Sequence, residues 1–191
     1  MMRAITSVEI NPLFADRRSP RSFEEAHSLA PEDLLAILEA ARWAPSANNM
    51  QPWRYLVGRR GDEVFNGLLQ TLVPFNQAWA FRASALILVT ANNLRPDGKP
   101  YAGFEYDCGL SVAQLTLEAH SRGFVTHQMG GFDKTKAVET FELGEELIPL
   151  VVAAIGKQGS LDQLDDEMSV RESAPRVRKE LSDIVLRGLP N

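Results

Sequence analysis

Residues 44–53 read APSANNMQPW. Pro45 and Pro52 bracket the stretch, and two prolines with their restricted preceding residues prevent a single helix from running through it. Between the prolines lie hydroxyl and amide side chains: Ser46, Asn48, Asn49 and Gln51. An amide carries both a donor and an acceptor, as does the edge of a heterocyclic ring. The stretch therefore predicts either a binding loop for a heterocycle or an Asx-type turn that leads into a strand.

Helices and strands flank this segment on both sides. Before it, residues 31–44 predict a helix, because Pro31 suits the first helical position and apolar side chains recur at helical spacing. After it, residues 55–57 predict a short strand and residues 63–72 a helix. Residues 85–90 (ALILVT) form a continuous apolar run, which is typical of a strand buried on both faces.

The longest predicted helix covers residues 105–122. One apolar face comprises Cys108, Val112, Leu115 and Ala119, and another comprises Leu110, Ala113 and Leu117. A helix that is apolar nearly all round is a central one. Since a short chain has little with which to cover both faces, the pattern predicts that a partner subunit buries the second face.

The rest of the chain mixes both element types. Residues 134–143 and 176–186 predict helices, residues 150–155 a buried strand, and residues 157–167 a surface loop. The order lacks a regular βαβ repeat, which indicates an α+β or three-layer fold.

The composition narrows the functional classes. The chain has 191 residues, which predicts one domain over residues 1–191. Its 20 Lys and Arg against 25 Asp and Glu give a net charge of −5, which argues against binding to nucleic acid or an anionic membrane. The single Cys108 allows no internal disulfide, and no apolar run is long enough for a membrane helix. We therefore expect a cytoplasmic protein. The three His residues show no metal-ligand spacing, so the sequence predicts no metal site.

Three further motifs are candidate ligand contacts. Residues 17–21 (RRSPR) place three guanidiniums together, which indicates either an anion site or a solvated basic turn. Gly130 and Gly131 precede a predicted helix, so their backbone either approaches a flat ligand or makes a tight turn. Arg176 and Arg178 are helix-end charges unless the fold brings them to the first arginines.

In their order along the chain, these motifs resemble the FMN-dependent nitroreductase family. RRSPR resembles the opening phosphate motif of that family, PSANNMQPW its PSxxNxQPW segment, and MGGFD its loop over the flavin. Arg176-Val177-Arg178 resembles the C-terminal basic pair, and PFNQAW (residues 74–79) the segment with a flavin-contacting Asn. The resemblance spans nearly the whole chain.

The resemblance implies an α+β fold, a three-layer α-β-α sandwich with a mainly antiparallel sheet, in an intertwined homodimer with FMN at the interface. It also implies an oxidoreductase in which NADH or NADPH is the hydride donor and a nitroaromatic, quinone or similar small molecule is the acceptor, in a ping-pong reaction. The alternatives are a flavin-binding protein of this fold that sequesters or senses, and a specialised dehydrogenase of a small metabolite.

The resemblance also assigns site residues. The opening motif would hold the phosphate, the ribityl chain and the pyrimidine side of the flavin, through Arg17, Arg18, Ser19 and Arg21. The other subunit would contribute Pro45, Ser46 and Asn49. Asn76 would contact the flavin ring. Arg176 and Arg178 would bind the phosphate. The Gly130 N–H would lie near flavin N5, with Gly131 beside it. The resemblance implies no catalytic side chain, since the chemistry belongs to the cofactor.

The sequence departs from the family at two positions. Trp79 stands where well-studied members have Lys, which leaves Arg21 as the expected charge near the N1–O2 edge of the flavin. Gly130 stands where they have Glu, which changes the wall of the site but keeps the backbone donor. Both departures concern the choice of substrate.

Overall fold

A four-stranded antiparallel sheet forms the middle of the molecule. The structure, a computed structural model, describes residues 3–190. The strands are β1 (Trp53–Arg59), β2 (Ala85–Asn92), β3 (Val125–Met129) and β4 (Leu147–Gly156), and they lie in the order β1-β2-β4-β3. All three pairings are antiparallel, with Leu56 opposite Leu88 and Ile87 opposite Ala153.

Eight helices lie within the described residues: α1 (Pro12–Asp16), α2 (Pro31–Arg42), α3 (Glu63–Thr71), α4 (Pro74–Ala80), α5 (Phe104–Ser121), α6 (Lys134–Thr140), α7 (Asp166–Ser173) and α8 (Leu181–Ile184). Short 3-10 turns cover Ala47–Asn49 and Leu161–Gln163. None of these helices is both long and apolar enough to cross a membrane.

The alternation of side chains along β2 divides the core into two layers. Leu86 and Leu88 pack into a cluster with α3, α4, α6 and α7, whereas Ile87 and Val89 pack into a cluster with α2 and α5. All four side chains are fully buried, as the apolar run predicts for a strand covered on both faces. Helices on both faces of an antiparallel sheet make the predicted three-layer α-β-α sandwich, which is confirmed.

Helix α5 buries only one of its two apolar faces within the chain. Cys108, Ser111, Leu115 and Ala119 point into the core, and burial raises the pKa of the Cys108 thiol to about 12. Val112, which the prediction placed on this face, is half-buried and packs against the same cluster, and it also borders a groove with the exposed Gly109. The described residues thus leave the outer face of α5 open, and its burial against a partner subunit stays a prediction.

Helices and strands with a strong local sequence pattern have residue ranges close to the predicted ranges. The helix predicted over residues 31–44 ends at Arg42, and the strands predicted over 55–57 and 150–155 extend to Trp53–Arg59 and Leu147–Gly156. The predicted helices over residues 63–72, 105–122 and 134–143 appear with slightly shorter ends. The prediction missed α1, α4 and β3, which are five to seven residues long and carry polar side chains.

Two predictions in the C-terminal part are wrong. Residues 157–167 are not a loop throughout, because the Asp165 carboxylate accepts from the Met168 N–H at 2.7 Å and begins α7. The helix predicted over residues 176–186 is reduced to Leu181–Ile184. A helix starting at Arg176 would put several cations at its positive end, which the helix dipole disfavours.

Candidate functional site

Four arginines from opposite ends of the chain converge on one place. Burial and the charge of Arg178 lower the pKa of Arg17. Burial lowers the pKa of Arg176, and so do the charges of Arg17, Arg178 and Arg18. The fold therefore does bring the second basic pair to the first. Cations that depress one another's pKa favour an anion among them.

Backbone carbonyls hold two of these guanidiniums in place. Arg18 Nη2 donates to the carbonyl of Glu172 at 2.6 Å, and Arg176 Nη1 donates to the carbonyl of Ala15 at 2.6 Å. The first bond joins the arginine loop to α7, and the second joins the C-terminal segment to the last turn of α1. Both arginines keep further N–H groups for a ligand.

The other two arginines are held less firmly. Arg17 Nη1 donates to the Ser19 hydroxyl at 3.1 Å, and within the described part of the chain Arg178 Nη1 donates only to the carbonyl of the preceding residue, Val177. Arg178 is exposed. Its guanidinium is thus the freest of the four to move onto a phosphate.

Arg21 lies beside this cluster in a different environment. Its backbone N–H and its Nη1 both donate to the Glu172 carboxylate, at 3.1 Å each. The guanidinium lies 5.7 Å from the centre of the Phe75 ring. Its Nε is buried and has no hydrogen-bond partner among residues 3–190. A buried donor without a partner is costly, which points to a missing acceptor at this position.

His127 and Trp79 form the wall behind Arg21. His127 Nδ1 bonds to the Pro20 carbonyl at 3.1 Å, and the His127 and Trp79 ring centres lie 4.7 Å apart. Burial, together with the charge of Arg21, lowers the pKa of His127 to about 4. Trp79 is fully buried and stacks on Phe23 at 6.0 Å, so the indole belongs to the core. Arg21 therefore remains the cation of this neighbourhood.

Asn76 and the two glycines form a neighbouring wall. The Gly131 carbonyl accepts from Asn76 Nδ2 at 3.0 Å and from the Val73 N–H at 3.1 Å. A Cβ on Gly131 would lie 3.0 Å from that Asn76 nitrogen, so a larger residue would displace the amide. Gly130 is exposed, and its N–H has no partner among the described residues. It is available to donate to a ligand, and its place near flavin N5 stays a prediction.

The segment with Pro45, Ser46 and Asn49 has an unusual backbone. Asn48, Asn49 and Gln51 adopt positive φ angles of 52°, 55° and 48°. Such angles are uncommon outside glycine and persist where the surroundings impose them. Here the Gln51 N–H donates to the Ser46 hydroxyl at 3.0 Å.

No hydrogen bond among residues 3–190 joins this segment to the arginine cluster. The Ala47 N–H donates to the Asp107 carboxylate at 3.2 Å, which places the segment at the beginning of α5. Arg17 and Ser19 instead line a groove of about 450 Å³ along the outer face of α5, with Gly109 and Val112.

Sequence reasoning missed Glu172 and His127 as parts of this site. Glu172 sits four residues after the buried Met168, and this spacing on α7 is the signal that could have revealed an inward-facing carboxylate. His127 carried no such signal, because its strand is short and its neighbours are polar.

Comparison with known proteins gives consistent matches. A model of the nitroreductase family matches residues 14–157. YdgI of Bacillus subtilis (strain 168), whose name provisionally assigns NAD(P)H nitroreductase activity, is 32% identical over an alignment that covers 74% of this chain and 84% of YdgI.

Two solved structures extend these matches to nearly the whole fold. The crystal structure of an oxidoreductase containing FMN has a TM-score of 0.92 and 34% identity, and covers 97% of this chain and 95% of that chain. A protein of Exiguobacterium sibiricum 255-15, provisionally described as a nitroreductase and in complex with FMN, has a TM-score of 0.76 and 26% identity, and covers 95% and 98% of the two chains.

Proposed function

Because this chain belongs to the nitroreductase family, we propose that it is an NAD(P)H-dependent FMN oxidoreductase that reduces nitroaromatic, quinone or similar acceptors. The observation that carries the proposal is the convergence of Arg17 and Arg18 with Arg176 and Arg178, in a chain with a net charge of −5. Residues 1–191 would form a single FMN-binding domain.

The residues present fit FMN. A phosphate dianion among the four guanidiniums would offset the repulsion that, after burial, lowers the pKa of Arg17 and Arg176, and the forked donors of arginine match phosphate oxygens. The buried, unpartnered Nε of Arg21 provides a donor for a carbonyl or ring nitrogen. The free N–H of Gly130 provides another donor, on an exposed glycine that leaves room for a flat ring.

The protein contributes binding and orientation. When bound, FMN supplies the redox chemistry by accepting a hydride from NAD(P)H and passing electrons to the acceptor. Arg17, Ser19 and the arginines of the cluster hold the phosphate and ribityl chain. Arg21 places its positive charge at the pyrimidine side, and Asn76 contacts the ring while holding the Gly131 carbonyl. His127 stays neutral above its depressed pKa and does not add a second cation.

The partner subunit completes the site in this proposal. Pro45, Ser46 and Asn49 reach the flavin of the other subunit in this arrangement, because their segment is bonded to the beginning of α5 and shares no hydrogen bond with the arginine cluster among residues 3–190. The open outer face of α5 then packs at the interface of a homodimer. Each FMN lies between the two subunits.

The decisive experiment is a visible absorption spectrum of the purified protein, before and after NADH or NADPH is added without oxygen. We expect a flavin spectrum that bleaches with NAD(P)H, followed by steady NAD(P)H consumption once a quinone or nitroaromatic is added. A bound flavin that bleaches without turnover would favour sequestration or sensing. A protein that takes up no FMN would refute the proposal.

Heterodimers test the shared site. Asn49→Ala and Arg17→Ala damage the same site from opposite subunits, so a mixed dimer contains one intact and one doubly damaged site. We expect its activity to exceed that of either mutant homodimer. No recovery in verified heterodimers would place Asn49 in the site of its own subunit.

A further inference from the structure

Helix α7 holds the arginine loop through one residue. Glu172 accepts from Arg18 Nη2 through its backbone carbonyl at 2.6 Å and from Arg21 through its carboxylate. The neighbouring Arg171 lies 5.4 Å from the Phe75 ring, which Arg21 approaches from 5.7 Å. The family model matches residues 14–157, so α7 lies outside the matched range.

The Glu172 carboxylate is buried and serves only Arg21. Its side chain is 5% exposed, and Oε1 accepts both the backbone N–H and the Nη1 of Arg21 at 3.1 Å. Burying a carboxylate costs free energy that pairing and hydrogen bonding must offset.

Arg21 in turn depends on this carboxylate for its orientation. Its side chain is 23% exposed, and Glu172 Oε1 is its one hydrogen-bond acceptor among residues 3–190. Phe75 restrains one face of the guanidinium, and Nε remains buried without a partner. The direction in which the remaining N–H groups point is therefore set by a single oxygen atom.

We propose that Glu172 is a positioning residue that holds the Arg21 guanidinium toward the pyrimidine edge of the flavin and thereby sets the midpoint potential of the cofactor. This inference rests on the proposed function, which places Arg21 at that edge. A nearby fixed cation favours the more negatively charged redox form of the flavin and raises its potential.

Glu172 could affect the flavin potential in two ways, and the two ways predict opposite changes in that potential when Glu172 is replaced. If Glu172 acted only through its own negative charge, removing the charge would raise the potential and keeping it would preserve the potential. If it positions Arg21, the reach of the acceptor oxygen matters, and losing that reach lowers the potential even when the charge is kept.

Two conservative variants separate these roles. Glu172→Asp keeps the charge but shortens the side chain by one methylene, whereas Glu172→Gln keeps the length and the acceptor oxygen but removes the charge. We expect Glu172→Asp to lower the two-electron potential of bound FMN toward the potential measured in the Arg21→Ala variant. A tenfold change in the relative affinity for the two redox forms corresponds to about 30 mV.

We expect Glu172→Gln to keep the wild-type potential or to exceed it. The reverse pattern, with a wild-type potential in Glu172→Asp and a change only in Glu172→Gln, would overturn the proposal. Spectroelectrochemical titration of the FMN-loaded proteins measures all four potentials.

A second measurement avoids any dependence on variants that fold poorly. NMR of the wild-type protein without FMN reports the rotation of the Arg21 Nη groups, which we expect to be slow because Glu172 holds Nη1. Free rotation there would overturn the proposal. Arg21→Ala with an unchanged potential would instead refute the placement of Arg21, and a protein that binds no FMN would refute the proposed function.

Discussion

Replacing Arg178 with alanine tests whether the arginine cluster binds a phosphate. Among residues 3–190 the Arg178 guanidinium donates only to the Val177 carbonyl, at 2.8 Å, and its charge adds to the effect of burial in lowering the pKa of Arg17. Alanine at this position therefore removes a repulsive charge from the free protein. In the FMN-bound protein it removes a donor from the phosphate.

The two effects of this change are opposite in sign. A hydrogen bond to a charged group contributes about 1.5–3 kcal/mol. At about 1.4 kcal/mol for each factor of ten, FMN should bind roughly 10- to 150-fold more weakly. The free protein should unfold at the same or a higher temperature, because the repulsion between Arg178 and its neighbours is gone.

Calorimetric titration of the flavin-free protein with FMN and with riboflavin isolates the contribution of the phosphate to the binding free energy. Riboflavin lacks the phosphate, so its affinity should not change in Arg178→Ala. Added salt should weaken FMN binding by the wild type more than by the variant. Lys99→Ala is the matched control, since Lys99 is an exposed cation on a separate hairpin. Equal losses for both flavins, or equal wild-type affinities for FMN and riboflavin, would refute the phosphate assignment.

Three further predictions concern the walls of the site and its kinetics. Gly131→Ala should lower stability by about 1–3 kcal/mol and displace Asn76, whereas Gly130→Ala, which meets no atom within 4 Å, should melt within a few degrees of the wild type. Since the folded pKa of His127 is about 4 against 6.5, the unfolding free energy should fall by up to about 3 kcal/mol as the pH drops from 6.5 to 4. His127→Gln should abolish that decrease in denaturant titrations. Initial-rate plots with varied NAD(P)H and acceptor should be parallel, and intersecting lines would show that both substrates bind together.

The sequence predicted the elements in which local pattern and burial agree. The ALILVT run is a strand in the middle of the sheet because both faces are apolar, and the structure covers both. The long helix followed from the same reasoning, since apolar residues recur along α5 and Gly123 follows its end. For these elements, the side chains that form the core also determine the local conformation.

Short polar elements depend on contacts from elsewhere in the chain. Strand β3 contains Thr126, His127 and Gln128, and it is a strand because β4 offers it an edge. The segment around Arg176 carries cations that would favour no particular conformation alone. It lies outside any helix or strand here, and the bond to the Ala15 carbonyl ties it to α1. The Arg176–Ala15 bond joins residues 161 positions apart, and contacts of this kind leave no periodic trace in the sequence.

The candidate site combines both kinds of information. Its arginines were identifiable because like charges placed together in one loop need an explanation, and the C-terminal pair gained meaning only when the fold brought it to Arg17. Glu172 was hidden for the opposite reason, since a single acidic residue in an acidic stretch attracts no notice. It is conspicuous only as a buried carboxylate against Arg21. A polar site is thus predictable from sequence when like charges lie close together along the chain. When each charge pairs with an opposite charge far away in the sequence, only the structure reveals the site.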